Sequence, residues 1–181
     1  MTEEDSMQSP DKYRIALLSA YAIALHGFES LVPMPIPWLR VGLANIITLT
    51  TLILFGFRAA MMVTLVRVTL ASLFIGSFLG PGFILSMGGG VLGTIAMGLV
   101  LALAPRTFGP VGLSLIGAFF HNLAQLILAY ALFIQRIEPV IVVAPVLVLI
   151  GTATGLVNGL VSDLLVKNLK KGGESLQNSV S

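Results

Sequence analysis

The side chains able to bind a ligand are few, and the first group surrounds the stretch VPMPIPWLRVGLANI at residues 32–46. Its three prolines stiffen the connection and exclude helix, so we expect an extended segment across one end of the molecule. An interfacial anchor on a tight loop explains Trp38 and Arg40, because tryptophan suits the membrane interface. A lid that closes over a binding pocket explains Glu29 and Asn45 as well.

The second group is HNLAQ, in which His121, Asn122 and Gln125 place three strong hydrogen-bonding side chains within five residues. His121 and Gln125 are four positions apart and share one face of a helix, which Ser114 and Ala118 continue. Such side chains either hydrogen-bond to neighbouring helices and fix their packing, or they contact a ligand. The sequence supports the two interpretations about equally.

Arg67 is a charged residue inside an apolar run, and Asp163 lies near the end of another. A charged side chain at the centre of a bilayer costs at least about 2.5 kcal/mol, so it normally faces a cavity or a partner. Arg67 is therefore expected either to contact a ligand deep in the molecule or to pair with Asp163. Both alternatives remain open.

The motifs of catalysis are missing from the sequence. It has no cysteine, no H-E-x-x-H zinc motif, no G-x-x-x-x-G-K-[ST] nucleotide loop and no spaced pair of carboxylates in an apolar run. We therefore predict that the protein is not an enzyme and has no metal or cofactor. The net charge of +2 comes from scattered basic residues, which excludes a nucleic-acid surface. The glycine triplet 88–90 is expected to serve close helix packing.

Helices in a membrane must position these side chains. Of the 181 residues, 56% are hydrophobic and 10% are charged, whereas soluble domains carry about 25% charged residues. The apolar runs are close to the length of about 20 residues that spans a bilayer, and they predict an all-α bundle of six transmembrane helices. The runs are Ile15 to Val32, Val41 to Phe57, Ala59 to Leu79, Phe83 to Ala104, Val111 to Ile134 and Val140 to Val166.

Orientation follows from Lys and Arg residues, which are retained on the cytoplasmic side of a membrane. An even number of spans puts both termini on one side, and we predict that this side is cytoplasmic. The proline-rich stretch then faces outside. A single membrane domain at 13–170 is expected between disordered tails at 1–12 and 171–181. The cytoplasmic set is Lys12, Arg14, Arg58, Arg106, Lys167, Lys170 and Lys171, against Arg40 and Arg136 outside.

Small residues recur every four positions in three of the predicted helices. This spacing puts them on one face, where another helix can approach closely. Packing inside the bundle is the favoured interpretation for any one set, and docking of a partner subunit is the alternative, most plausible for the alanine set. The sets are Ala16, Ala20 and Ala24; Gly89 and Gly93; and Gly151, Gly155 and Gly159.

Three stretches carry a family resemblance: PIPWLRVGLANIITL, RVTLASLFIGSFLGPGFILSMGGG and GLSLIGAFFHNLAQLILA. They resemble the bacterial membrane family called heptaprenyl diphosphate synthase component I, also called the Gx transporter family, over residues 15–165. The resemblance implies a multi-pass protein of the bacterial cytoplasmic membrane. A catalytic prenyltransferase needs aspartate-rich motifs, and the chain's only aspartates are Asp5, Asp11 and Asp163. The synthase name therefore implies at most an accessory subunit in heptaprenyl diphosphate and menaquinone biosynthesis.

The transporter name implies a similarity to the S components of energy-coupling-factor importers. These proteins have six helices, a first outer loop that closes over the ligand, and an A-x-x-x-A face on the first helix. Ala16, Ala20 and Ala24 match that face, which would dock a transmembrane coupling subunit that works with ATPases. No substrate carries over, because no vitamin-specific motif is evident.

The sequence therefore favours a substrate-binding membrane subunit of such an importer. Its small-molecule ligand is expected to be amphipathic and anionic at one end, such as a quinone or isoprenoid precursor. The accessory subunit is the alternative. A third possibility, ion translocation, would need a chain of ionisable groups that this sequence supplies only sparsely. The predicted ligand contacts are Arg40, Asn45, Arg67, His121, Asn122 and Gln125, with Glu29 orienting them and Trp38 closing the mouth.

Overall fold

The structure, a computed structural model, describes the backbone of residues 9–31, 45–105 and 107–180 and the side chains of residues 13–25, 27, 45–105 and 107–170. Every regular element in the described residues is helical. The elements are α1 (Ser9–Leu31), α2 (Asn45–Ile75), α3 (Pro81–Leu103), α4 (Pro110–Ala129) continued by a π-helical turn (Tyr130–Ile134), and α5 (Ile137–Val180). The side chains of the predicted tails at 1–12 and 171–181 lie outside the described ones, and the backbone that is described there, at 9–12 and 171–180, is helical. The disorder of the tails stays a prediction.

Four helices of the described chain are long and apolar enough to cross a membrane: α2, α3, α4 with its π-helical turn, and α5. Large apolar side chains cover their outer surface; Phe74, Leu103 and Leu149 are each more than 70% exposed. Such a surface is stable in lipid and not in water. The prediction of an all-α fold with several helices able to span a membrane is confirmed. Four spans stand in place of six because one predicted break lies inside α2 and the described apolar part of α1, Tyr13–Leu25, is short.

Gly56 folds α2 back on itself. Its backbone angles are φ 83° and ψ −178°, which are not helical and which only glycine adopts readily. The hydroxyls of Thr48 and Thr64 lie 3.3 Å apart although 16 residues separate them, a separation of about 24 Å along a straight helix. Residues 45–55 and 57–75 are therefore two antiparallel arms. The sequence predicted a break at Arg58, and the reversal is at Gly56.

Proline and glycine residues set the other boundaries. Pro81 and Pro110 each occupy the first turn of a helix, where a missing N–H costs nothing. Gly76, with φ 74°, lies in the turn after α2. The π-helical turn ends at Gln135, whose φ is 51° and whose N–H donates to the carbonyl of Tyr130. The predicted breaks GPG, PRTFGP and QRIEP thus coincide with helix ends.

Buried glycines bring neighbouring helices into contact. A methyl group added at Gly93 would lie 2.9 Å from the carbonyl oxygen of Gly117, so α3 and α4 approach at backbone distance there. Gly155 faces Ala118 in the same way across α4 and α5. Both glycine sets are buried, and their interpretation as packing residues is confirmed. The alanine set differs, because all three of its alanines are exposed while Ala22 is the α1 residue in the core.

The helix contacts distinguish two ends of the bundle. Ile15 and Leu18, near the start of α1, pack on the same cluster as Val161 and Leu165, near the end of α5. Phe57, next to the reversal of α2, covers Gly98 near the end of α3, and Gly159 of α5 packs on Val111 at the start of α4. The reversal, the 104–109 connection and the C-terminal part of α5 therefore lie at this end. We call this the basic end, since Arg14, Arg58, Lys167 and Lys170 lie near it. We call the opposite end, which carries the 76–80 turn and the 135–136 connection, the far end.

Candidate functional site

The fold of α2 joins two of the predicted ligand contacts. Nη2 of Arg67, on the second arm, donates a hydrogen bond of 2.9 Å to Oδ1 of Asn45, at the start of the first arm. The side chain of Arg67 is only 3% exposed. An arginine buried in a membrane protein must keep its donors satisfied, and the reversal at Gly56 supplies one acceptor that lies 22 residues away in sequence.

His121 approaches the same region from α4, across a wall of glycines on α3. A methyl group added at Gly89 would lie 2.9 Å from both Nδ1 and Cε1 of His121. One added at the next residue, Gly90, would lie 2.9 Å from Cγ2 of Thr64 and 3.7 Å from Nη2 of Arg67. The imidazole and the guanidinium therefore lie against adjacent residues of one helix. The missing side chains make this close approach possible.

Gln125 extends the polar lining by one turn of α4 toward the far end. It is 4% exposed, and its Nε2 has no hydrogen-bond partner among the described residues. A buried donor without a partner costs about 1–3 kcal/mol, so such a group marks a position that a ligand or ordered water can satisfy. Together, Asn45, Arg67, His121 and Gln125 form what we call the interior polar cluster.

Asn122 is directed elsewhere. Its Nδ2 donates a hydrogen bond of 2.9 Å to the carbonyl of Leu147 on α5, and its amide covers Gly151. It also lines a groove of about 60 Å³ between α4 and α5, whose wall includes the exposed side chain of Phe119. The HNLAQ motif thus divides: His121 and Gln125 join the interior polar cluster, whereas Asn122 joins α4 to α5. Asn122 has the contact with a neighbouring helix that the packing interpretation expects, and its role as a ligand contact stays a prediction.

Next to the interior polar cluster, the hydroxyls of three threonines form a chain of hydrogen bonds in which the donor and acceptor of each bond are fixed. The hydroxyl of Thr94 donates a hydrogen bond of 2.8 Å to the carbonyl of Gly90. Its single hydrogen is then used, so in its contact of 3.0 Å with Thr64 the Thr94 oxygen is the acceptor. Thr64 then donates to Thr94 and accepts from Thr48 at 3.3 Å. All three side chains are at most 1% exposed. The chain ties both arms of α2 to α3 directly beneath Arg67.

Sequence reasoning missed these threonines and the role of glycines 89 and 90. Threonine is common in membrane helices, where it usually bonds to its own backbone, as Thr51 does to Ile47. No spacing marks Thr48, Thr64 and Thr94, because they come from three separate segments. The glycine triplet itself was visible, but the side chains that approach it depend on tertiary contacts.

Three other predicted site residues lie outside the part of the chain that the structure describes. Trp38 and Arg40 fall in residues 32–44, and the side chain of Glu29 is also outside the described part of the chain. The predicted lid therefore stays a prediction. The structure gives Asp163 an ion pair of 2.6 Å with Lys167 on its own helix, while Arg67 bonds to Asn45. Asp163 thus has a cationic partner at the basic end.

The comparisons with known proteins agree with the family resemblance. The family model described as heptaprenyl diphosphate synthase component I matches residues 18–165, which includes every residue of the interior polar cluster. No curated protein and no solved structure matches the chain at the significance required. With most of its length matched by that model, the chain belongs to the heptaprenyl diphosphate synthase component I family.

Proposed function

We propose that this protein is a substrate-binding membrane subunit of an energy-coupling-factor type importer and that the interior polar cluster binds its ligand. The observation that carries the proposal is the burial of Arg67 beside Asn45, with the amide nitrogen of Gln125 left without a partner in the described residues. Polar groups that converge inside an apolar bundle are typical of a small-molecule site.

The ligand class follows from the donors. Arg67 supplies a permanent positive charge, and Gln125 supplies N–H groups. The surrounding helices are apolar, so the ligand is amphipathic with an anionic end, such as a prenyl diphosphate or a carboxylated quinone precursor. As predicted from the sequence, Arg40 would be a further ligand contact, Glu29 would orient the contacts, and Trp38 would close the mouth of the site.

Ligand binding is tested with purified protein in nanodiscs. Probes are a short-chain prenyl diphosphate, a carboxylated quinone precursor and the uncharged prenyl alcohol. R67Q should weaken binding of the anionic probes at least about tenfold, the loss expected from one hydrogen bond to a charged group. R67K should bind with intermediate affinity. R136Q removes an exposed charge instead and should bind as wild type does.

Two outcomes would contradict the proposal. If R67Q and the wild-type protein bind the anionic probes with equal affinity, and both R67K and R67Q elute as folded protein, Arg67 does not contact the ligand. If the wild-type protein binds the prenyl alcohol more tightly than both anionic probes, the proposal of an anionic ligand is contradicted.

The coupling role is tested by purification from native membranes. We propose that both termini are cytoplasmic. The exposed face of Ala16, Ala20 and Ala24 would then contact a transmembrane coupling subunit, with its ATPases, inside the membrane. A20W should lose those partners, whereas A102W, which changes an exposed alanine of α3, should keep them.

The second candidate function is a non-catalytic accessory subunit for a prenyltransferase. The family description, which names a synthase component, favours it. In this case the same purification recovers a prenyltransferase, and the A20W variant loses no ATPase because none is bound. Recovery of a coupling subunit and ATPases without a prenyltransferase decides for transport.

A further inference from the structure

The three residues of the glycine triplet face three different neighbours. A methyl group at Gly88 would meet the end of the Leu128 side chain, whereas one at Gly89 would meet the imidazole of His121. One at Gly90 would meet Thr64 and approach Arg67. Single-methyl substitutions at consecutive positions therefore probe three separate contacts.

The contacts differ in how easily they give way. Leu128 is half-buried, and the tip of a leucine side chain can change rotamer. The imidazole of His121 is a rigid ring that is 8% exposed, and the Cβ of His121 also lies close to α3, 3.4 Å from the position of an added methyl at Gly93. Thr64 is fixed by its hydrogen bonds to Thr48 and Thr94. An alanine at position 89 or 90 must therefore move a side chain of the cluster or of its support.

A second observation connects Gly89 and Gly90 to a ligand. Gln125 lies one turn beyond His121 on the same face of α4, is 4% exposed, and has an Nε2 without a hydrogen-bond partner in the described part of the protein. The glycine face thus lies beside an unsatisfied, buried donor. Helix packing alone does not require such a donor.

We propose that Gly89 and Gly90 are positioning residues of the ligand site, which set the separation between the imidazole of His121 and the guanidinium of Arg67 and so the size of the polar head that fits. The inference rests on the proposed binding function. A side chain at position 89 would displace the imidazole of His121 on α4, and one at position 90 would displace Thr64 and approach the guanidinium of Arg67 on α2. Either change alters the space between the two groups. Position 88 has no such effect.

The positioning is tested first without ligand. The chain has two histidines, so in an H26N background His121 gives the single Cε1–Hε1 cross-peak of protein with labelled histidine. G89A should move this cross-peak, and G88A should leave it in place. An unchanged cross-peak in G89A, or an equal change in G88A, would overturn the inference.

A double variant covers the case in which G89A folds poorly. If the added methyl meets the imidazole, removal of that ring in G89A/H121A restores the thermal stability lost in G89A. Failure of this rescue overturns the inference, because the clash would then lie elsewhere.

The binding consequence is measured with the short-chain prenyl diphosphate. G89A and G90A should bind it about tenfold more weakly than wild type, the equivalent of one misplaced hydrogen bond to a charged group, and G88A should bind it normally. Equal affinity in all three variants overturns the specificity role. If wild type binds no anionic probe, the proposed function fails, and the cross-peak of G89A still decides the positioning.

Discussion

At the scale of single residues, the interior of this protein depends on hydrogen bonds whose donors and acceptors come from distant segments. Arg67 and Asn45 meet across the arms of α2, and the threonine chain runs from Thr48 through Thr64 to the carbonyl of Gly90. Thr48 donates to Thr64, and Thr64 and Thr94 each donate once and accept once. The direction of the chain is therefore fixed, and loss of the middle member affects both neighbours.

Replacement of Thr64 by valine tests this chain. Valine has nearly the same shape but lacks the hydroxyl, so T64V leaves a donor on Thr48 and an acceptor on Thr94 without their partner. We expect a loss of about 1 kcal/mol in the free energy of unfolding, within the range for one hydrogen bond in a membrane protein. Reversible unfolding in mixed micelles measures it.

T51V is the matched control. Thr51 is equally buried, but its hydroxyl bonds only to the carbonyl of Ile47 on its own helix among the contacts that the structure gives it. Its replacement should change the stability by less than about 0.5 kcal/mol, since a membrane helix without that local bond keeps its backbone pairing. If T51V loses as much free energy of unfolding as T64V does, the threonine chain contributes no stability beyond that of a local hydroxyl bond.

At the scale of elements, one residue of α2 decides whether the polar cluster exists. Gly56 reverses the chain, and nothing lies within 4 Å of the position that its Cβ would occupy. Glycine is thus required here by the backbone angles of the residue and not by lack of space for a side chain. Without the reversal, Asn45 could not reach Arg67.

We therefore expect G56A to destabilise the protein by about 1–3 kcal/mol, the usual strain for a side chain in this backbone region. G109A is the control: Gly109 also has open space around it, but its φ of −73° suits any residue. Thermal unfolding of both variants in nanodiscs gives the comparison. A destabilisation of G109A equal to that of G56A would attribute the effect to glycine loss in general.

At the scale of the whole molecule, the basic residues and the helix contacts define two ends of different character. Arg14, Arg58, Lys167 and Lys170 lie near the basic end, whereas the interior polar cluster lies toward the far end. If the basic end is cytoplasmic, as the distribution of Lys and Arg predicts, the cluster is nearer the outside. That arrangement suits uptake of a ligand from outside the cell.

Cysteine labelling tests this orientation directly, because the chain has no cysteine. Gln135 and Thr107 are both exposed and lie in connections at opposite ends. A membrane-impermeant maleimide should label Q135C in intact cells and T107C only after permeabilisation. The reverse pattern would place the basic end outside and would remove the proposed outward-facing site.

The sequence by itself indicated an all-α membrane protein, because long apolar runs leave helices as the structure that satisfies the backbone in lipid. Its family followed from the match over residues 18–165. The sequence also identified Asn45, Arg67, His121 and Gln125 as residues too polar for their surroundings. Periodicity placed His121 and Gln125 on one face, since both belong to one helix.

Only the tertiary structure decided which of these residues meet. The contact of Arg67 with Asn45 depends on the reversal at Gly56, and a single glycine in an apolar run gives no sign of its φ. The approach of His121 to α3 depends on packing between helices, which apolar composition does not specify. Asn122 was inseparable from its neighbours in sequence, yet the helical turn of about 100° between adjacent positions directs it to α5. Residue chemistry was thus readable from the sequence, whereas its convergence was a property of the fold.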